Sequence, residues 1–351
     1  MALDAQTLEV LMEKILVIQT AFIGDSILTL PMLKKIKERN SGCLVDVLCT
    51  PVSKEIFESS PYVNRAISVD KRGRQKSLWA LYKFCKENLA SQNYTHIYSV
   101  HRSMRTSLIV LFSNVRETYG FSNSSLKAVY KHIVKYDSSQ HEVKRNLALA
   151  GFSFEDDGWK ILPEAEASEH TREKVKLFIE ENKLDKFIVL APASVWATKA
   201  YPKEYFIEIA RYFSQKDYNV VLMGGEKDRI ILKEFLDLSD KIISAAGSFS
   251  LVESVELLRH ATILVANDSA PAHLALCANV PVLMLYCSTI PEFGFYPYSR
   301  KSGYLNIEGL SCKPCGIHGK KKCPVGTFDC GKKLTPGLVI KKTEEMINEY
   351  I

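Results

Sequence analysis

Ile15-Leu16-Val17-Ile18, then Gln19-Thr20-Ala21-Phe22-Ile23-Gly24-Asp25 and a helical pattern running to Arg39, is the stretch on which the fold turns. A short β-branched apolar run without alternation reads as a strand buried on both faces, and the glycine-containing loop behind it leads into a helix. Phe187–Leu190 repeats the plan with a strand, the loop Ala191–Tyr201 and a helix from Lys203 to Phe213. Each opening is followed by another strand signal, Leu44–Leu48 in the first case and Val220–Met223 in the second. Strands alternating with helices predict βαβ units and parallel sheets, so the chain is expected to be α/β and to build that arrangement twice.

Further along, Ile263–Ala266 reads as a strand, Asp268–Ala278 as a helix and Val282–Tyr286 as a strand. Lys301–Lys333 is loop-like and rich in Gly, Cys and Lys, and Pro336–Tyr350 has a closing helical pattern. Polar residues of Glu164–Lys176 and Glu180–Lys186 separate the halves. The expected domains are 1–175, with 1–11 an extension ahead of Met12, then 176–335, then a helix over 336–351.

The composition agrees with this outline. The chain has 351 residues, of which 46% are hydrophobic and 25% charged, enough for two packed cores and unlike disordered, collagenous or coiled-coil chains. A net charge of +6 allows anionic partners without requiring nucleic acid. Nine cysteines, an odd number in a long chain, do not form the disulfide framework of a small secreted module. Acids precede any apolar run at the N-terminus, so no signal peptide is expected. The charge-free run Ser269–Pro291 is broken by His273, Asn279 and Pro281, and reads as helix plus buried strand rather than a membrane span. A cytoplasmic location is expected.

Neither opening strand is followed by GxGxxG, and no GxxxxGK[ST] occurs, so other backbone groups must bind any phosphate. Gly24 permits a tight turn at a strand's carboxyl end, and Asp25 reads either as a helix cap or as a catalytic carboxylate. The loop Ala191–Tyr201 holds Ser194, Thr198 and Lys199, the lysine being either a phosphate contact or solvated. Glu226, after Gly224-Gly225, suits sugar hydroxyls or an ordinary turn. In Asn267-Asp268-Ser269-Ala270-Pro271-Ala272-His273 a buried strand meets a helix whose first turn contains proline. Free N–H groups at Ser269, Ala270 and Ala272 would form an anion site there, or Asp268 and Ser269 would simply cap the helix and His273 lie in the core. Basic residues gather at Lys71–Lys76, His101–Arg105 and Lys127–Arg145. The first group reads as solvated surface, while Arg102 and Arg105 suit phosphates or carboxylates. Cys312, Cys315, Cys323 and Cys330 partly match a zinc ligand spacing and are candidates for a structural zinc.

Taken in order, ILVIQTAFIGDSILTLPML (15–33), HRSMRTSL (101–108), HEVKRNLAL (141–149), APASVWATKAYP (191–202), GGEKD (224–228), NDSAPAHLA (267–275) and CKPCGIHGKKKCPVGTFDC (312–330) resemble glycosyltransferase family 9, the lipopolysaccharide core heptosyltransferases. The resemblance implies a GT-B architecture, two Rossmann-like domains facing across a cleft, with acceptor on the first and nucleotide-sugar on the second. It implies an inverting transferase that moves heptose from ADP-heptose to a lipid A-linked core and needs no catalytic metal. Asp25 then matches the general base. Lys199 matches the diphosphate contact and Glu226 the ribose contact, while Asp268, Ser269 and His273 match the donor loop, which also holds Ala270. Ser194 and Thr198 join the donor side, and Gly24, Arg102 and Arg105 the acceptor side. Its partners would be the nucleotide-sugar and an anionic glycolipid at the cytoplasmic face of the inner membrane, not nucleic acid. The alternatives are a family 9 enzyme using another sugar or acceptor, and a non-catalytic zinc-ribbon module.

Overall fold

A computed structural model describes residues 13–350; the extension expected over 1–11 lies outside the described residues. The chain divides into two compact units between Glu166 and Ala167.

In the first unit six strands form one sheet: β1 (Lys14–Gln19), β2 (Leu44–Cys49), β3 (Arg65–Ser68), β4 (His96–Ser99), β5 (Glu117–Phe121) and β6 (His132–Val134). All pairings are parallel, and the order is β3-β2-β1-β4-β5-β6. The second unit uses β7 (Phe187–Ala191), β8 (Asn219–Leu222), β9 (Ile242–Ser244), β10 (Ile263–Asn267), β11 (Val282–Tyr286) and β12 (Ser302–Asn306), ordered β12-β11-β10-β7-β8-β9 and again all parallel. Counted from its own first strand, each sheet runs 3-2-1-4-5-6, the doubly wound dinucleotide-binding order.

Several strands with continuously apolar runs are fully buried. Ile15–Ile18, all of β7, all of β10 and all of β11 are buried, because helices cover both faces of a parallel sheet. The strands that sequence reading misses are short and mixed. β12, inside the segment read as loop, is Ser302-Gly303-Tyr304-Leu305-Asn306 on the sheet edge, where no two-sided burial demands an apolar run.

The unit boundary lies before the helix Glu169–Glu181, whereas a division at 175/176 would cut through it. That helix packs against Leu251–Arg259 of the second unit. Its Lys174 Nζ donates to Ser248 O (3.1 Å) and pairs with Glu253 (2.7 Å). The closing helix Pro336–Tyr350 also belongs to the second unit: it packs on Lys203–Gln215, and Tyr212 donates to Glu344 Oε1 (2.7 Å).

In such sheets ligands bind beyond the carboxyl ends of the strands where the order reverses. Those points are the ends of β1 and β4 in the first unit, and of β7 and β10 in the second.

Candidate active site

At the end of β1 the buried side chain of Gln19 organises the loop. Its Nε2 donates to Thr29 Oγ1 (3.0 Å), and its Oε1 accepts the Ala21 N–H (3.2 Å). Thr29 in turn donates to the Asp25 carbonyl (2.8 Å). Phe22, not Asp25, is the N-cap of the short helix Ile23–Ile27, so Asp25 meets the first free amides from the third helical position rather than from the cap. Asp25 is the third residue of that helix, and its carboxylate accepts the N–H groups of Asp25 and Phe22, as the acid of a capping box reaches back.

Those bonds favour the carboxylate, but desolvation outweighs them. Burial raises the Asp25 pKa to about 7, the negative charge of Glu142 raises it further, and Arg102 opposes the rise. Glu142 is itself buried and gripped by Arg145 through Nε and Nη2, both at 2.7 Å from Oε2. Arg102 and Arg145 lie over the ring of Tyr136, 4.0 and 4.9 Å from its centroid. Glu142 and Arg145 are functional candidates that sequence reading missed; the signal was HEVKR, an i,i+3 acid–base pair opening a helix.

Other cations differ from expectation. Lys71, read as solvated, is half-buried and donates to Thr20 O (3.0 Å) and Thr20 Oγ1 (2.9 Å); burial first, then Arg105 and Arg72, lower its pKa to about 8. His101, within 2.9 Å of the same hydroxyl, falls to about 4 through burial and the charges of Lys71 and Arg102. Arg105 donates to the Gln75 carbonyl (3.1 Å) and the Lys76 carbonyl, so its guanidinium is engaged with the loop. Of the two arginines, Arg102 is the one whose charge opposes the rise of the Asp25 pKa among its main causes. Gly24 accepts the Leu28 N–H within the turn (3.0 Å).

In the second unit Asn267, at the end of β10, locks the loop after β7. Its Oδ1 accepts the Tyr201 N–H (2.8 Å), and its Nδ2 donates to Pro192 O (2.7 Å). This brings Lys199 to Asp268, with Nζ 2.6 Å from Oδ2, and Thr289 donates to the same oxygen (2.7 Å). Ser269 occupies the N-cap of Ala270–Ala278 without a side-chain cap bond; its hydroxyl donates to Asn267 O (3.3 Å). Ala272 N–H turns back to Ser269 O (3.2 Å), which leaves the amides of Ser269 and Ala270, rather than three amides, at the helix's positive end. His273 is buried, and burial lowers its pKa to about 4, so the imidazole is neutral at pH 7. Its Nδ1 and the buried Ser288 Oγ are without partners among the described residues. Both lie near Lys199 and the helix start, where they are available to a ligand.

Ser194 Oγ accepts the Trp196 N–H (3.4 Å) and shapes the loop. Thr198 is already satisfied: it exchanges bonds with Lys320, N–H to O at 3.0 Å and O to N–H at 2.7 Å. Glu226 is exposed and paired with Arg229 (3.1 Å) beside Gly247, whose φ of +69° suits glycine.

In the cysteine-rich segment no metal site is shown. Among the described residues no group of three or more His, Cys, Asp or Glu is arranged to hold an ion, and all nine thiols are free. Cys330 is buried in the core on the helix Asp329–Lys332, while the other three lie in partly exposed turns. The segment instead braces the lysine loop: Cys315 N–H donates to Ser288 O (2.9 Å), and Gly319 lies against Lys199 and Ser288.

Against known proteins, the model of glycosyltransferase family 9 (heptosyltransferase) matches residues 82–325. The chain belongs to glycosyltransferase family 9. It is a glycosyltransferase. The lipooligosaccharide heptosyltransferase 2 of Haemophilus influenzae is 23% identical, over 95% of this chain and 99% of that protein. The family 9 structure from Veillonella parvula superposes with a TM-score of 0.85 at 22% identity, covering 96% of this chain and 98% of its own. The E. coli ADP-heptose LPS heptosyltransferase II does so at 0.76 and 21%, covering 96% and 99%. These likenesses show that this family 9 chain has the fold of the solved transferases.

Two predictions follow from the site's geometry. Because the folded pKa of Asp25 is raised, its contribution to stability is greatest near pH 4 and is lost as pH rises through about 7. Asp25→Asn is therefore expected to raise the unfolding temperature near pH 8 and to leave it unchanged near pH 4; equal effects at both would remove the buried-carboxylate account. Gly319 has φ +78°, and a Cβ there would lie 2.9 Å from Lys199 Cγ. Gly319→Ala should therefore displace that lysine and cost about 1 kcal/mol or more of stability, read as a lower unfolding temperature.

Proposed function

We propose that this chain transfers heptose from ADP-heptose to the lipid A-linked inner core of lipopolysaccharide, with inversion at the anomeric carbon. Asp25 is the general base in this reading. The observation that carries it is a half-buried carboxylate with a pKa of about 7 at the strand-order reversal of the first unit, where doubly wound sheets bind ligands.

An acceptor hydroxyl is a weak nucleophile at neutral pH, and a carboxylate of ordinary pKa is a weak base. Raising Asp25 towards pH 7 improves the match between base and task. As the hydroxyl oxygen bonds to the anomeric carbon, its proton passes to Asp25 and the bond from that carbon to the diphosphate breaks. ADP departs from the opposite face, hence the inversion. The charge gained by the leaving group is met by Lys199 and by the Ser269 and Ala270 amides, groups that stabilise the transition state more than the ground state. Lys199 retains two further N–H donors beside the one on Asp268. Neutral His273 and Ser288 supply unpaired polar atoms to the donor, and exposed Glu226 is placed for ribose hydroxyls. Arg102 suits an acidic acceptor and also holds Asp25 below the pKa that burial alone would impose.

A heptosyl donor is favoured by the family and by the names of the relatives. In this reading the enzyme works at the cytoplasmic face of the membrane; among the described residues no helix is long and apolar enough to cross it.

The deciding experiment is thermal shift and calorimetry with ADP-heptose against UDP-, GDP- and CMP-sugars, coupled to a transfer assay. ADP-heptose should stabilise the protein selectively, and a preference for a uridine or cytidine sugar would overturn the donor. Asp25→Ala should keep donor affinity while transfer falls about 10²–10⁴-fold; undiminished turnover would remove it as base. Transfer by the wild type should rise with pH through about 7, and Glu142→Gln should move that limb to lower pH by removing a negative neighbour.

A further inference from the structure

On the first unit, two helices expose what soluble proteins usually bury. Trp79 is 72% exposed, Leu78 and Met104 58%, Leu111 55% and Tyr82 37%. Five of the eight large exposed hydrophobic side chains found among that unit's described residues thus lie on Leu78–Asn88 and Met104–Ser113. The aromatic ones are joined across the helix pair rather than scattered. The helices pack on one another, the Trp79 and Tyr82 rings stack at 5.8 Å, and Tyr82 meets Phe112 edge-on at 5.3 Å across the helix pair. A joined apolar patch of this kind marks an interaction surface, whereas single exposed leucines do not.

Its border is basic. Lys71, Arg72, Arg74 and Lys76 precede the first helix, and Lys83 and Lys86 lie on its exposed side. Arg105, in the first turn of the second helix, donates to the Gln75 and Lys76 carbonyls and so ties this loop to the patch. Nearby acids are few and engaged. Asp70 accepts loop N–H groups from Arg72 and Gly73 (3.1 and 2.8 Å), and Glu87 faces Lys83 (3.8 Å).

We propose that the basic loop Lys71–Lys76 and the apolar faces of Leu78–Asn88 and Met104–Ser113 form a docking surface for an anionic lipid bilayer. Trp and Tyr favour the headgroup boundary, where an apolar ring body and a polar tip are both satisfied, and lysine and arginine around them meet lipid phosphates. A second copy of the chain fits less well. A two-fold contact would place the patch on itself and bring like-charged loops together. The patch adjoins the catalytic loop, since Lys71 reaches Thr20 at the end of β1. Its use rests on the proposed lipid-linked acceptor: docking here would present such an acceptor beside Asp25.

The binding arm of the test needs neither donor nor acceptor. Full-length protein is sedimented with phosphatidylcholine vesicles and with phosphatidylcholine–phosphatidylglycerol vesicles while tryptophan emission is followed. Wild type should bind the anionic vesicles, with a blue shift that Trp79→Phe removes, and release in high salt. Leu78→Ser/Trp79→Ser and Arg72→Glu/Arg74→Glu should each lower partitioning about tenfold or more at unchanged unfolding temperature. Both should retain wild-type transfer to an acyl-free acceptor and lose transfer to a vesicle-borne one. Wild-type failure to bind anionic vesicles, variants that bind as tightly as wild type, or a concentration-dependent dimer abolished by Trp79→Ser without lipid binding would each overturn the proposal. A different donor sugar would sink the functional reading and leave the vesicle result standing.

Discussion

Reversal of strand order beside the first strand of each sheet is the constraint on which the rest of this molecule depends. Where neighbouring connections leave to opposite faces, the strand ends are not covered by a crossover, and loop residues there meet ligand rather than helix. β1 and β4 deliver Thr20–Asp25 and His101–Arg105 to one such point. β7 and β10 deliver the lysine loop and Asn267–Ala270 to the other. The same topology serves opposite electrostatic ends in the two units: the first isolates a carboxylate, and the second gathers a lysine and a helix start.

The first unit's chemistry is a balance of opposed terms. Desolvation and Glu142 make Asp25 hold a proton, while Arg102 and two backbone amides make it release one. A carboxylate favoured by every neighbour would be too weak a base, and one with only burial around it would stay protonated at neutral pH. Arg145 keeps Glu142 in place through two donors on one carboxylate oxygen. In the second unit the side chains of Lys199 and Asp268 hold each other, while neutral His273 avoids the cost of placing a second cation beside the lysine.

Much of this was legible in the chain. The runs at 15–18, 187–190, 263–266 and 282–286 are strands because two-sided burial allows only apolar residues there, and this is the strongest pattern a parallel sheet writes. Proline in the first turn of Ala270–Ala278 marked the helix start correctly. Edge strands such as Ser302–Asn306 left no comparable trace. Cysteine spacing suggested a metal, but the segment braces Lys199 through backbone bonds and the close approach of Gly319, features that depend on backbone conformation rather than side-chain identity. Lys71 looked solvated because its neighbours in sequence are; its partner, Thr20, is remote in the chain.

The sequence by itself determined the parallel α/β class, its duplication, the strand ends that carry polar residues and the family, since these follow from local periodicity and from motifs in order. The tertiary structure alone decided which of those polar groups remain available. Arg105 and Thr198 are consumed by distant backbone, Glu142 charges the surroundings of Asp25 from a helix far along the chain, and His273 is left neutral with an unpaired nitrogen. Proton affinity and hydrogen-bond availability are set by burial and by neighbours through space, quantities that no stretch of sequence contains until the chain has folded.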